Sequence, residues 1–195
     1  MPFNVNEFRN KFVHGGARTS SFEMQIVWPD AVRGGAGVAA SETDFRFLCH
    51  LSEIPASTVK SIAVSYFGRK IYYAGDRSFA SLKVTIYNDE DFKVRKAFEV
   101  WSQAITAHQS TISQFDGGNI AGSYATDGIV RQLSRNLGGS GLVAYKFIGM
   151  FPTDLSAIVL DWEKPDEFEK FTVEFAYQYW IPVDGNTGAP LVANF

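Results

Sequence analysis

Between residues 59 and 89 the chain holds alternating runs with a period of two, separated by turn signals. Residues 68–89 read Gly-Arg-Lys-Ile-Tyr-Tyr-Ala-Gly-Asp-Arg-Ser-Phe-Ala-Ser-Leu-Lys-Val-Thr-Ile-Tyr-Asn-Asp. Leu82, Val84 and Ile86 alternate with Lys83, Thr85 and Tyr87. Such alternation puts one set of side chains on each face of a strand, whereas a helix would scatter both sets around its axis. Two further runs, 59–66 and 69–74, predict a strand pair joined by a tight Phe67-Gly68 connection. Gly75-Asp76-Arg77 reads as the turn that leads into the 80–87 strand. Antiparallel β-structure is therefore fixed early for this segment.

The rest of the chain follows the same logic. Residues 4–13 place Phe8 and Phe12 four apart and predict a short N-terminal helix, which Gly15-Gly16 ends. Phe22–Trp28 alternates as a strand and stops at Pro29. Residues 29–42 contain Gly34, Gly35 and Gly37, lack a period, and read as a long loop or flap. Residues 43–51, with Phe45, Phe47 and Cys49 against Asp44, Arg46 and Leu48, read as another strand. Asn88 and Asp89 are both helix-capping types, and 90–107 reads as the one substantial helix, with Phe92, Phe98, Trp101 and Ile105 toward one face. Residues 110–123 read as a loop. Strands are expected near 124–136, 141–151 and 168–181, followed by a turn-rich, loose tail. The sum is about eight strands and one helix. This is a mainly β, antiparallel sandwich or barrel flanked by one α-helix, in a single domain over 1–195.

Composition narrows the function classes. The formal net charge is −3 and no dense Lys/Arg cluster occurs, which disfavours a dedicated nucleic-acid binder. Charged residues make up only 20% of the 195, as expected where much of the outer surface is covered by partners. The single cysteine, Cys49, cannot form an intramolecular disulfide or a thiolate cage, and reads as a small buried apolar residue. The first twenty residues lack the apolar core of a signal peptide, and no apolar run reaches the roughly 20 residues of a membrane span. The expectation is a soluble chain made in a reducing cytoplasm, without membrane insertion.

Catalytic signals are weak. Gly35-Ala36-Gly37-Val38-Ala39-Ala40 matches G-x-G-x-x-A, but a strand-to-helix context is missing, so no dinucleotide site is expected. Gly138-Gly139-Ser140-Gly141 continues with Leu142 where a nucleophile elbow needs glycine, and reads as a turn. His14, His50 and His108 have no metal-ligand spacing. Asp161, Glu163, Asp166, Glu167 and Glu169 form an acidic stretch between two strands, read as solvated loop. Neither a catalytic residue nor a cofactor or metal site is expected.

Taken together, several segments resemble the tail tube proteins of contractile-tailed bacteriophages. They are Phe47-Leu48-Cys49 with Ile54-Pro55-Ala56; Phe67-Gly68-Arg69-Lys70-Ile71 with Ala74-Gly75-Asp76-Arg77-Ser78-Phe79; Val84-Thr85-Ile86-Tyr87-Asn88-Asp89; Ile129-Val130-Arg131-Gln132; Gly149-Met150-Phe151-Pro152-Thr153; Leu160-Asp161-Trp162; and Tyr179-Trp180. The resemblance runs from about Phe22 to Trp180. It implies a structural protomer that forms hexameric rings, stacked into the tube that conducts double-stranded DNA. Sheath outside, tape-measure protein inside, and baseplate and terminator proteins at the ends are the partners it implies. The location implied is the virion, after assembly in the host cytoplasm. A tube-initiator ring of the baseplate, or the inner tube of a pyocin or contractile secretion system, would look alike in sequence.

Within that picture the 59–73 hairpin, with Asp76 and Arg77 at its base, is the expected contact to the next ring. Phe67, Arg69, Lys70, Ile71, Asp76 and Arg77 are its candidate residues, since a protruding hairpin with these charges suits charge-assisted contacts. The competing reading makes Asp76 and Arg77 an internal turn pair. Residues 29–42 look inserted relative to the compact family pattern, and 181–195 extend beyond its Tyr-Trp end.

Overall fold

The computed structural model describes residues 5–11, 15–34, 38, 41–107, 124–135, 140–163 and 166–191. In chain order the elements are α1 (Val5–Lys11), β1 (Phe22–Ile26), α2 (Asp30–Arg33), α3 (Ser41–Leu48), β2 (Cys49–Ser52), β3 (Ser57–Tyr66), β4 (Arg69–Phe79), β5 (Leu82–Tyr87), α4 (Lys93–Ile105), β6 (Thr126–Leu133), β7 (Gly141–Leu155), β8 (Lys170–Ala176) and β9 (Tyr179–Asp184). Every strand pair is antiparallel. The expected mainly β, antiparallel architecture holds.

Two four-stranded sheets, β1-β6-β7-β9 and β2-β5-β8-β7, share strand β7. Up to Ile148, β7 pairs with β9; from Phe151 onward it pairs with β8. Gly149 lies between these partners at φ +64°, a left-handed conformation that glycine adopts without steric cost. This pivot lets one strand serve two sheets. β3 and β4 form a separate two-stranded hairpin.

The core is aromatic. Trp28, Phe45, Phe98, Trp101, Phe171 and Phe175 are all essentially buried. Most of their ring pairs meet edge-on, as in Trp28–Phe98 (centroids 4.9 Å apart) and Trp28–Trp101 (5.7 Å), while Phe98 and Trp101 stack; ring quadrupoles favour edge-on and offset-stacked pairs alike. Helix α4 buries Val94, Ala97, Phe98, Trp101 and Ala104, a spacing that draws one stripe along the helix. Phe92, expected on that stripe, is instead exposed at φ +57°, just before the helix. The N-cap position falls to Phe92 and not to Asn88 or Asp89, although Asp89 Oδ1 still accepts from the first helical N–H, that of Lys93, at 3.2 Å.

Several expectations need correction. Residues 43–51 are mostly helix: α3 runs to Leu48 and only then does β2 begin. Phe45 is buried, but Phe47, two positions on, is 77% exposed, so a one-faced strand is ruled out. The segment 29–42 is no free flap among its described residues, because α2 lies within it and Val32, Val38 and Ser41 are buried. The expected 168–181 strand is two strands, β8 and β9, broken at Tyr177-Gln178. The tail after Trp180 is not loose as far as Leu191. β9 pairs with β7, Val183 is buried and bridges to Pro190, and the Leu191 N–H donates to the Pro182 carbonyl. The expected loop at 110–123 and Gly138 and Gly139 of the expected turn lie outside the described residues, as do His14 and His108.

Candidate assembly surface

The hairpin β3–β4 is built of residues that pair with one another and cover almost nothing else. Every residue of β3 is exposed. Phe67 and Gly68 close it at φ +43° and φ +77°. Two successive positive φ values are the type I′ turn, whose twist matches that of the strands it joins. Gly68 adopts this freely, whereas Phe67 does so at a steric cost. The Phe67 side chain is nevertheless 89% exposed, with the Tyr66 ring edge-on to it at 4.5 Å. A strained, solvent-facing phenylalanine at a hairpin tip contributes little to the protomer itself.

The register separates the hairpin's two faces. Ile62 pairs with Tyr73, Val64 with Ile71, and Tyr66 with Arg69. Ser61 pairs with Ala74, Ala63 with Tyr72, and Ser65 with Lys70. Alternation therefore puts Ile62, Val64, Tyr66, Ile71 and Tyr73, with Arg69, on one face and Ser61, Ala63, Ser65, Lys70, Tyr72 and Ala74 on the other. All five of the apolar-face residues are large and exposed. A contiguous apolar face of this kind marks a surface that a partner covers.

Gly75-Asp76-Arg77 is not the turn expected there. β4 continues through it to Phe79, with Arg77 paired to Val59. The register shifts between Val59 and Ser61, so Gly75 and Asp76 together face Lys60 in a β-bulge. A Cβ on Gly75 would lie 3.0 Å from the Lys60 carbonyl oxygen, which is why glycine stands at the bulge. No ion pair joins Asp76 to Arg77 among the described residues, which removes the support for an internal turn pair. The structure thus brings Phe67, Arg69, Lys70 and Ile71 together at the tip and first rungs, and Asp76 and Arg77 at the bulge near the base. The reading from sequence missed Ile62, Val64, Tyr66 and Tyr73. Their register, apolar opposite apolar, was the available signal.

At the base, Phe79 packs against Tyr177 and Trp180 with centroids 6.2 and 6.1 Å apart. The Tyr177 hydroxyl donates to the Ala80 carbonyl at 2.5 Å, and desolvation pushes its pKa up to about 12. The hairpin is thus anchored where β5 and β8 begin and end. A chemical site is not assembled here: no cluster of three or more His, Cys, Asp or Glu able to hold a metal occurs among the described residues. No described helix is long and apolar enough to cross a membrane.

The sequence model of the phage tail tube protein family matches residues 17–183. This chain belongs to the phage tail tube family. Its similarity to the tail tube protein gp19 of Enterobacteria phage T4 is 36% identity over 137 residues, covering 70% of this chain and 81% of that protein. Structures of contractile injection systems share the tail tube fold at much lower identity. The six-fold symmetrised baseplate of the anti-feeding prophage includes a chain that matches with TM-score 0.60 and 11% identity, covering 87% of this chain and 97% of that one. A chain in the extended PVC sheath–tube complex matches with TM-score 0.55 and 12% identity, over 93% and 99%. Within the tail tube family, then, the exposed hairpin belongs to a protomer whose relatives are named for the assembly they build.

Proposed function

We propose that this chain is the structural subunit of the tail tube of a contractile-tailed phage. Hexameric rings of it stack into the hollow conduit through which double-stranded DNA leaves the virion. The chain acts by assembling; it carries out no catalysis and needs no cofactor. Sheath protein covers the tube, tape-measure protein occupies it before DNA, and baseplate and terminator proteins close its ends. Assembly takes place in the host cytoplasm, and the full chain acts as one tail tube domain, with 29–42 and 181–195 as additions to the compact pattern.

The observation that carries this reading is the uncovered apolar face of the β3–β4 hairpin in a member of this family. Phe67, Arg69, Lys70, Ile71, Asp76 and Arg77 make the contact to the adjacent ring: the aromatic and aliphatic groups supply buried area, and the charges set register. Sheet edges support ring formation. Among the described residues β1 pairs only with β6, and an unpaired edge invites a neighbouring strand. A conduit for DNA must not hold phosphates, since each neutralised phosphate adds affinity and hence drag, and a chain of net charge −3 is compatible with that.

Negative-stain electron microscopy of the purified protein at high concentration tests the proposal. Rings or hollow tubes with six-fold end views are expected. Persistent monomers, even with baseplate supplied as an initiating surface, would overturn it. Arg77→Glu is expected to block stacking; normal tubes from that variant would remove Arg77 from the contact.

A further inference from the structure

We infer that the hairpin tip of one copy seats in a groove formed by the β7–β8 connection of a second copy. This rests on the tube reading above and names the other half of its contact. Residues 157–169 leave Val159, Leu160, Trp162 and Phe168 exposed at 79%, 76%, 101% and 81%. They border an open groove of about 580 Å³ into which Asp161 and Glu167 also face. Four large apolar side chains in water are not what a solvated acidic loop displays. Trp162, fully outside the protomer, contributes nothing to its packing.

The two surfaces are complementary in charge as well as in apolar character. Residues 57–79 hold Lys60, Arg69, Lys70 and Arg77 against Asp76, a net +3. Residues 157–169 hold five carboxylates against Lys164, a net −4. An aromatic tip flanked by guanidinium and ammonium groups thus meets an aromatic groove flanked by carboxylates. Opposite potentials of this kind fix register and speed encounter.

Their placement on the fold is what makes the pairing propagate. The ladder of β5 with β8 runs from Leu82–Phe175 to Tyr87–Lys170. The hairpin is anchored beyond the Leu82 end, through Phe79 on Tyr177. The groove lies beyond the Tyr87 end, where the Phe168 ring packs edge-on to Tyr87 at 6.4 Å. Five strand steps, roughly 17 Å, separate the two ends of that ladder. Knob and socket therefore lie at opposite ends of one rigid strand pair. A protomer cannot satisfy itself in this way, and a head-to-tail contact between copies repeats without limit along the strand direction.

The test pairs cysteines across the proposed contact in assembled tubes. Ser65→Cys and Glu163→Cys chains, which carry the cysteines beside the tip and beside Trp162 and keep both rings, are mixed and oxidised. The unsubstituted chain, whose one cysteine is Cys49, is oxidised in parallel as the control. A disulfide-linked dimer from the mixture, and none from either chain alone, is expected. Trp162→Ser is expected to reduce pelletable tube at least about tenfold with an unchanged melting temperature, as for an interface anchor. Normal tubes from Trp162→Ser, together with no mixed disulfide from the cysteine pair, would overturn this seat. If Arg69→Glu/Lys70→Glu still abolishes assembly in that case, hairpin stacking stands and only its receptor is wrong. If that variant also assembles normally, hairpin stacking itself fails.

Discussion

Gly141, at the start of β7, and Gly185, just past the end of β9, touch backbone to backbone. A Cβ placed on Gly185 would lie 2.5 Å from the Gly141 carbonyl carbon, and no side-chain movement could relieve the clash. The Gly141 N–H also donates to Asn186 Oδ1 at 2.9 Å. This contact holds the C-terminal strand against the sheet that the family signature at Gly149–Thr153 continues. Gly185→Ala is therefore expected to cost about 2 kcal/mol or more, as forced overpacking does. In a chain of this size that lowers the melting temperature by roughly 5 °C, read by calorimetry. An unchanged melting temperature would show that β9 can detach without cost.

Phe67 is expected to separate protomer stability from assembly. Asparagine tolerates the left-handed region far better, and Asn-Gly is the favoured type I′ pair. Phe67→Asn should therefore stabilise the isolated protomer, by up to about 1 kcal/mol, while weakening tube formation. Urea unfolding of the unassembled protein reads the first effect and sedimentation of tubes reads the second. Loss of both together would mean that the ring serves the hairpin's own fold.

Glu23 sits on β1 with its carboxylate largely buried between two arginines. Its Oε2 accepts from Arg46 Nε at 2.8 Å and from Arg46 Nη2, and its Oε1 accepts from Arg131 Nη1 at 3.0 Å. This ties helix α3 to the β1–β6 pair. Both guanidinium groups are partly exposed, so removing the carboxylate leaves them hydrated and costs less than at a dry site. Glu23→Ala is expected to cost about 2 kcal/mol and Glu23→Gln about half of that. The check is a lowered urea midpoint at constant slope.

Cys49 is half-buried, and burial pushes its thiol up to about 12. At pH 8 the folded thiol therefore stays protonated, whereas about a tenth to a fifth of it is thiolate in the unfolded chain. Iodoacetamide should label the native protein hardly at all at pH 8, and rapidly in urea. The linkage has a definite sign. A thiol whose folded pKa is raised contributes stability that is complete below the unfolded value near 8.5–9 and is lost as pH climbs toward 12. Rapid native labelling at pH 8 would contradict the burial.

The strands of 57–66 and 82–87 were legible because a period of two survives whatever packs around them, and Phe67-Gly68 punctuates the first pair. Helix α4 was legible because its apolar spacing fits only a helical stripe. Residues 43–48 were not, since Phe45 and Phe47 alternate as in a strand while only Phe45 is buried. The helical clue was Ser41, Phe45 and Leu48 at spacings of four and three, which competes with that alternation over a segment too short to decide. The Gly75-Asp76-Arg77 bulge was read as a turn because glycine serves both, and only the partner strand tells them apart.

Local alternation and turn chemistry, which act over a few residues, let the sequence determine antiparallel β-structure, the long helix, the exposed hairpin and the family resemblance. Long-range packing decided what remained. It bent β7 at Gly149 to serve two sheets, fixed the strand after Trp180 against β7, and left Trp162 and the hairpin's apolar face uncovered. Which side chains lack a partner depends on which elements come together in space, and no stretch of sequence carries that information alone.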